Sequence, residues 1–222
     1  MKELIVIEGL DGSGKATQAA LLSQALSAYG RVREVSFPDY GSPSSALVKM
    51  YLNGEFGEKP DDVNAYAASA FYAVDRYASF KRSWEEDWKT GTVIADRYTT
   101  SNAIHQCAKL DKSEWDRYLD WLFDFEYRLL GIPEPDLVIC LKAAPEVSQR
   151  LMTLRYAGNE EKKDIHEKDI RYQEQCGAAA EYCAAKLGWK TVECTADGGM
   201  RSVEDIHGDV LAWVKEYRSG KG

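Results

Sequence analysis

The sequence of 222 residues predicts one α/β domain in which a five-stranded parallel sheet has helices on both faces. Short apolar runs rich in β-branched residues alternate with longer stretches of helical periodicity, a pattern typical of βαβ units. The strand-like runs are residues 4–8, 32–37, 92–96, 136–141 and 189–194. A glycine-rich segment joins the first run to the first helical stretch. Because ligands bind at the carboxyl ends of parallel strands, we expect the functional site at that edge.

Composition excludes several classes of protein. Hydrophobic residues make up 45% of the chain, enough for a sizeable core, and no apolar run approaches the length of a membrane span. Met1-Lys2-Glu3 leads directly into the first strand, so no signal peptide is expected. The net charge of −8 argues against a nucleic-acid polymer as partner. The five cysteines are odd in number and lack C-x-x-C spacing, which predicts reduced thiols in a cytoplasmic protein.

The segment between the first strand and the first helix has the spacing of a P-loop: Gly9-Leu10-Asp11-Gly12-Ser13-Gly14-Lys15. In such a loop, backbone N–H groups and a lysine surround the phosphates of a nucleotide, and the helix dipole favours the anion. The next residue is normally Ser or Thr, whose hydroxyl helps to hold Mg²⁺. Here it is Ala16, and Thr17 points about 100° away on a helix. The loop therefore predicts a nucleotide site whose metal is held elsewhere.

The residues from Asn64 to Lys89 have helical periodicity, with an apolar face and a neighbouring polar face. The apolar residues predict a stripe that faces the core: Tyr66, Ala70, Ala73, Tyr77, Phe80, Trp84 and Trp88. Tyr72 and Arg76 lie on a neighbouring polar face, four residues apart, so their side chains project side by side. This pair is either a surface cation–π contact or a platform where a planar base stacks on Tyr72 while Arg76 binds its carbonyl.

The third strand-like run ends in Ala95-Asp96-Arg97-Tyr98. P-loop enzymes place a magnesium-associated aspartate at this position, and Arg97 would reach the same cleft as Lys15, where a guanidinium binds phosphate. A structural ion pair between Asp96 and Arg97 is the alternative. The following helical segment carries more polar side chains, Ser101, Asn102, His105 and Gln106. The Asn102 amide offers a donor and an acceptor to the edge of a base.

One polar break, residues 158–163, separates two long helical patterns near the C-terminal third of the chain. Its composition suits a mobile lid and a plain solvated loop equally well.

The order and spacing of these motifs, over nearly the whole chain, resemble the thymidylate kinase family, which phosphorylates dTMP. The matching pieces are EGLDGSGK at 8–15, FPDY at 37–40, FYAVDR at 71–76, DRY at 96–98 with SN at 101–102, PDLVI at 135–139 and DIHE at 164–167. The resemblance implies the P-loop NTPase fold in one kinase domain, residues 1–222, with a lid at about 155–164. It also implies ATP and dTMP as ligands, Mg²⁺ as cofactor, and a cytoplasmic homodimer that serves nucleotide biosynthesis.

The resemblance also assigns roles to individual residues. It places ATP against Gly9, Leu10, Asp11, Gly12, Ser13, Gly14, Lys15, Ala16, Thr17, Arg150 and Arg155. It places dTMP against Asp11, Phe37, Tyr40, Leu52, Tyr72, Arg76, Arg97, Ser101, Asn102, His105, Gln106, Asp164 and Glu167. Arg76 would bind the thymine O4, and Asn102 or Ser101 would read the N3 edge. Lys15, Arg97 and Arg155 would be catalytic, and Asp96 and Asp11 would hold the metal.

The chain departs from the family pattern at Ala16, His105 and Lys142, and Lys142 replaces an acidic residue often found after the fourth strand. Ala16 removes a usual metal hydroxyl, and His105 stands where many bacterial members carry a tyrosine that crowds the sugar 2′ position. Gly12 stands where some members carry an arginine, so we expect the catalytic cation to come from the lid, with Arg155 preferred. Two alternatives stay open: a kinase for another nucleotide or deoxynucleoside, and a nucleotide-binding homologue that has lost turnover.

Overall fold

In the computed structural model, residues 2–155 and 164–220 are described. Five parallel strands form a sheet in the order β2-β3-β1-β4-β5. The strands are β1 Glu3–Gly9, β2 Val32–Ser36, β3 Thr92–Asp96, β4 Leu137–Lys142 and β5 Lys190–Glu193. Each lies within one residue of its predicted bounds at either end. The predicted parallel α/β sheet is confirmed.

A short antiparallel hairpin follows β5 and was not predicted. It pairs β6 Thr195–Ala196 with β7 Gly199–Met200. Asp197 and Gly198 make the turn with φ values of 51° and 74°. The Asp-Gly dipeptide is the sequence signal for a turn of this kind, because both central positions need a left-handed backbone.

Helices cover both faces of the sheet. They are α1 Lys15–Ser27, α2 Ala46–Leu52, α3 Ala65–Ser79, α4 Glu85–Thr90, α5 Thr99–Cys107, α6 Trp115–Phe123, α7 Pro145–Arg155, α8 Ile165–Lys168, α9 Ile170–Leu187 and α10 Val203–Ser219. Ile5 and Ile7 of β1 pack on the side of α1 and α10, whereas Leu4 and Val6 pack on the opposite side with Trp84. This alternation buries the central strand on both faces, as parallel strands require.

The predicted apolar stripe on α3 is only partly a core stripe. Phe80 and Trp84 are buried, in a π-helical turn that follows α3, but Tyr66 and Tyr77 are 36% and 41% exposed. The prediction was wrong for these two tyrosines because the helix turns the Arg76 side inwards, where a buried carboxylate partner lies. Tyr66 instead packs edge-on against Trp121 of α6, with ring centroids 4.6 Å apart.

The five cysteines are free and buried in the structure. Among the described residues, no helix combines the length and the apolar character that crossing a membrane requires.

The packing of α1 gives a matched test of the core. Leu22 is fully buried against the sheet, and its neighbour Leu21 is only half-buried. Leu22→Ala should lower the free energy of unfolding by about 2–5 kcal/mol, since it removes buried methyl groups and leaves a cavity. Leu21→Ala makes the same change in helix propensity but removes less buried surface, so it should lower the free energy of unfolding clearly less than Leu22→Ala does. Urea denaturation of both variants measures the difference, and equal losses would contradict the assigned face of α1.

Candidate active site

A cavity of about 490 Å³ opens at the carboxyl ends of β1, β2 and β3. Most of the predicted site residues line it: Asp11, Gly12, Gly14, Lys15, Ala16, Thr17, Phe37, Tyr40, Leu52, Tyr72, Arg76, Asp96, Arg97, Ser101, Asn102, His105, Gln106, Asp164 and Glu167. The cavity wall also includes residues that were not predicted: Ser36, Pro38, Tyr98, Leu151 and His166. Segments far apart in the sequence therefore converge on one space.

Several residues predicted to bind ATP lie outside this cavity wall. Gly9 supports the P-loop from below: its φ is 148°, and a Cβ there would lie 2.6 Å from the Leu141 carbonyl oxygen. Leu10 packs in the core beside the loop, and the Ser13 side chain is buried beneath it. Arg150 is exposed on α7. The Arg155 side chain and residues 156–163, which make up most of the predicted lid, lie outside the described part of the chain.

The P-loop has the backbone that its glycines predict. Gly12 and Gly14 adopt φ values of 79° and 87°, in the left-handed region. Lys15 begins α1, and its Nζ donates to the Leu10 carbonyl oxygen at 2.8 Å. Burial, with Arg97 close by, lowers the pKa of Lys15 to about 8. The loop therefore holds its lysine in a desolvated place, where a phosphate would be a strong partner.

Arg97 lies at the centre of the charged end of the cavity. Its φ of 67° is unusual for a residue with a side chain and marks local backbone strain. Nη2 donates to Asp11 Oδ1 at 2.6 Å, and Nη1 lies 3.6 Å from Glu8 Oε1. Burial would lower the pKa of Arg97, but Asp11 and Glu8 raise it, so the guanidinium stays charged. These ion pairs differ from the Asp96–Arg97 pair that the sequence left open as an alternative.

Glu8 is a buried carboxylate beside the cavity that sequence reasoning did not single out. It is fully buried and accepts hydrogen bonds from Thr100 Oγ1 and Ser101 Oγ, both at 2.7 Å, and from the Gly9 N–H at 2.9 Å. The available signal was a carboxylate at the end of an otherwise apolar strand. Buried charges need partners, so such a residue predicts a buried polar network.

Asp96 ends β3 and has the properties of a cation ligand. Its Oδ1 is buried and has no hydrogen-bond partner among the described residues. Burial raises the pKa of Asp96, although Lys15 and Arg97 oppose this effect. Burial would also raise the pKa of Asp11, but the positive charges of Arg97 and Lys15 outweigh this effect and hold the pKa well below its ordinary value. An unpaired buried carboxylate oxygen beside an ionised aspartate suits a hard cation such as Mg²⁺.

The other end of the cavity has the composition of a base pocket. Tyr72 and Arg76 line it from α3, and Asn102 lines it from α5. Arg76 is only 1% exposed, which excludes the surface cation–π interpretation. Its Nη2 and Nε donate to Glu126 at 2.5 and 2.7 Å, and Nη1 makes only a long contact, 3.4 Å to the Tyr98 carbonyl oxygen. Glu126 was not predicted, because it lies fifty residues away in a π-helical turn after α6.

Gln106 and His105 complete the α5 side of the cavity. Gln106 is fully buried, yet neither atom of its amide has a hydrogen-bond partner among the described residues, so the amide suits a bound ligand. Burial and Arg97 lower the pKa of His105 to about 3, so its ring is neutral. Nε2 lies 3.3 Å from Arg97 Nη1 and must accept, because a guanidinium only donates. The ring proton is therefore on Nδ1, which faces Cys176 Sγ at 3.4 Å.

The segment that follows residue 163 brings two carboxylates to the cavity. Asp164 caps α8 by accepting from the His166 and Glu167 N–H groups at 2.8 and 2.9 Å. Glu167 accepts from the Asp164 N–H at 3.2 Å, which completes a capping box. Burial raises the pKa of Asp164 to about 6. His166 contacts Tyr51 through Nε2 at 2.8 Å and so fixes α8 against α2.

Comparison with known proteins places this site in a family. The family model described as thymidylate kinase matches residues 7–206. A thymidylate kinase of Mycobacterium tuberculosis is 33% identical over 204 residues, which cover 88% of this chain and 94% of that protein. A thymidylate kinase of Caenorhabditis elegans is 30% identical over 212 residues, which cover 90% of this chain and 86% of that protein.

Solved structures agree on the fold. The structure of thymidylate kinase from Candida albicans superposes with a TM-score of 0.72 at 22% identity, covering 97% of this chain and 92% of that chain. The thymidylate kinase from Ehrlichia chaffeensis superposes with a TM-score of 0.64 at 19% identity, covering 96% of this chain and 98% of that chain. The predicted P-loop NTPase fold is confirmed. On the match over residues 7–206 and the relatives at 30% identity or more, the chain belongs to the thymidylate kinase family.

Proposed function

We propose that this protein transfers a phosphoryl group from ATP to dTMP, forming ADP and dTDP. The observation that carries the proposal is the convergence of a P-loop and a base pocket on one cavity, with Arg97 between them. A phosphate acceptor needs no general base, so positioning and charge neutralisation can supply most of the catalysis. Family membership supports the same reaction.

Arg97 would bind the phosphate of dTMP. Its two ion pairs, with Asp11 and Glu8, hold the guanidinium at the phosphate end of the cavity. A bound phosphate would compete for the N–H groups that these carboxylates now occupy, and a planar guanidinium can serve two oxygens at once. Lys15 would neutralise the ATP phosphates from the other side. Its lowered pKa would rise again on contact with them.

Mg²⁺ would be held by Asp96 and Asp11 together with ATP oxygens and water. The unpaired Oδ1 of Asp96 supports this assignment. Ala16 and Thr17 both line the cavity, but Ala16 has no hydroxyl to offer where the usual metal-binding side chain stands. Mg²⁺ held there would supply positive charge to neutralise the phosphates during transfer.

The thymine ring would stack on Tyr72, with its O4 near Arg76 and its N3 edge near Asn102. Phe37 and Leu52, both largely buried in the cavity wall, would pack beside the sugar and base. Tyr40, which is 53% exposed, would lie near the monophosphate. These contacts favour a pyrimidine that carries a 4-oxo group.

The proposal includes the remaining parts of the family pattern. A lid at about residues 155–164 of one kinase domain, 1–222, would close over ATP, with Arg155 giving a cation to the transferred phosphate and Arg150 binding ATP. The protein would act in the cytoplasm, without a nucleic-acid polymer or a membrane as partner. A homodimer is supported by three exposed apolar side chains on α3, Tyr66, Val74 and Tyr77. Tyr66 packs against Trp121, whose ring stacks on Phe125.

A panel of acceptors tests the reaction. With ATP and Mg²⁺, dTMP should be phosphorylated in preference to dCMP, dAMP and dGMP. Arg76 offers only donors, and a donor left unpaired costs about 1–3 kcal/mol, or roughly 10- to 100-fold in kcat/KM. A coupled assay of ADP formation measures each acceptor. Equal turnover of dCMP and dTMP would contradict the assignment, and ATP binding without any turnover would favour a binding protein.

Arg97→Ala should lower kcat by roughly 10²- to 10³-fold, as the loss of other transition-state charge donors does. The fold should persist, because Glu8 keeps its hydrogen bonds from Gly9, Thr100 and Ser101. Steady-state kinetics measure kcat, and circular dichroism with a thermal melt serves as the folding control. If a folded variant keeps near-normal turnover, Arg97 is a structural residue.

Asp96→Asn should raise the Mg²⁺ concentration for half-maximal activity by at least about tenfold, since even supporting residues of metal ligands change affinity by roughly 10- to 100-fold. Ala16→Ser is the matched control: it restores a hydroxyl after the P-loop lysine and should leave the protein active. Magnesium titrations at saturating ATP and dTMP compare the two variants. An unchanged titration for Asp96→Asn would remove Asp96 from the metal site without affecting the kinase assignment.

A further inference from the structure

We infer that Glu126, a residue outside the cavity wall, determines which pyrimidine the protein accepts by orienting Arg76 and Asn102. The inference rests on the proposed function, because it concerns how the same pocket selects its base. Glu126 is fully buried in the π-helical turn Asp124–Leu129 and does not line the cavity. Its effect on the substrate must therefore pass through its neighbours.

Every acceptor position of the Glu126 carboxylate is used. Oε2 accepts from Arg76 Nε at 2.7 Å and from Thr99 Oγ1 at 2.8 Å. Oε1 accepts from Arg76 Nη2 at 2.5 Å and from Asn102 Nδ2 at 3.3 Å. An ionised carboxylate has about four acceptor sites, so this one is saturated by donors from α3 and α5. The two helices that carry the base-pocket side chains thus meet at one buried charge.

The pairing determines which part of Arg76 reaches the cavity. A two-pronged contact through Nε and Nη2 fixes the plane of the guanidinium and leaves Nη1 at its far end. Nη1 has one long contact, 3.4 Å to the Tyr98 carbonyl oxygen, and its second N–H has no partner among the described residues. Because Arg76 lines the cavity, that N–H is available to a ligand. Burial would lower the pKa of Arg76, but Glu126 raises it above its ordinary value. Arg76 therefore presents a permanently charged donor in a fixed direction.

The same carboxylate determines which way the Asn102 amide points. The nitrogen Nδ2 lies 3.3 Å from Glu126 Oε1 and 3.3 Å from the Ser69 carbonyl oxygen. Both of these atoms can only accept, so the amide must place its nitrogen there. The oxygen Oδ1 then lies on the other side, and no described residue donates to it. Because Asn102 lines the cavity, Oδ1 is an acceptor available to a ligand.

Arg76 and Asn102 together present a donor beside an acceptor. That order matches the O4 acceptor and N3–H donor of thymine, and it opposes the N4 amino donor and N3 acceptor of cytosine. Uracil has the same edge as thymine and differs only by the 5-methyl group. The contacts of Glu126 should thus govern the choice between cytosine and thymine but have no bearing on the choice between uracil and thymine.

Glu126→Gln tests the inference, because an amide offers one acceptor oxygen where the carboxylate offers two. If the Gln oxygen takes the Oε2 position, its amide nitrogen faces the Asn102 amide, which is then free to turn. If the oxygen takes the Oε1 position, the amide nitrogen faces Arg76 Nε and breaks the two-pronged contact that orients the guanidinium. The ratio of kcat/KM for dCMP to that for dTMP should rise by about tenfold or more, the order expected when a buried polar pattern is lost. The ratio for dUMP to dTMP should stay within about twofold of the wild type, since the 5-methyl contact is untouched. The KM for dTMP should rise more than kcat falls.

Glu3→Gln is the matched control for loss of a buried carboxylate. Glu3 lies at the start of β1, at the edge of the sheet opposite the cavity. It is also fully buried, and it accepts hydrogen bonds from Thr92 Oγ1 at 2.7 Å and from Arg218. The Glu3→Gln variant should have a lower melting temperature, but its dCMP/dTMP and dUMP/dTMP ratios of kcat/KM should equal those of the wild type. Thr99→Val is a milder second variant, which removes one donor to Glu126 and keeps the charge. It should raise the dCMP ratio in the same direction by a smaller factor.

The outcomes separate the inference from the proposed function. If the wild-type protein does not phosphorylate dTMP, the proposed function fails. If it does, but folded Glu126→Gln keeps the wild-type dCMP ratio, or moves the dUMP ratio equally, the inference is overturned. Should Glu126→Gln fail to fold, an unchanged dCMP ratio in Thr99→Val overturns it instead.

Discussion

The site depends on buried charge at the carboxyl edge of the sheet. Glu8, Asp11 and Arg97 lie so close together that each compensates the desolvation of another. Isolated charges of this kind would be costly in the interior, whereas paired and hydrogen-bonded charges are tolerated. The arrangement keeps Arg97 ionised, directed into the cavity and partly neutralised. A phosphate that binds there would replace a carboxylate partner and would not have to desolvate a free guanidinium.

Two buried carboxylates organise the two ends of the cavity in the same way. Glu8 connects β1 to the start of α5 through Thr100 and Ser101, beside the phosphate end. Glu126 connects α3 to α5 through Arg76 and Asn102, behind the base end. Neither carboxylate lines the cavity. Because hydrogen bonds to a desolvated charge are strong and directional, these residues can orient the groups that contact ligands with little freedom left.

Family membership explains the fold, and this chain differs from the family pattern at several residues of the site. Ala16 has no hydroxyl to offer a metal, so the proposed Mg²⁺ site would rest on carboxylates such as Asp96, whose unpaired buried oxygen suits that role. Gly12 carries no charge, and a Cβ there would lie 2.8 Å from the Ser148 carbonyl oxygen, so a larger side chain would force the loop away from α7. His105 is neutral and accepts from Arg97, and it thereby helps to position the residue that we propose binds phosphate.

The sequence by itself determined the strands, the P-loop and the family, because alternation, glycine spacing and turn chemistry are encoded within a few neighbouring residues. It also named Tyr72, Arg76 and Asn102 as candidates for a base pocket, and all three line the same cavity. Only the tertiary structure decided which face of α3 points inwards and which partners Arg97 and Arg76 select. The carboxylate of Glu126 is fifty positions from Arg76. Pairs at such separation leave no periodic signal, and their geometry depends on how the helices pack.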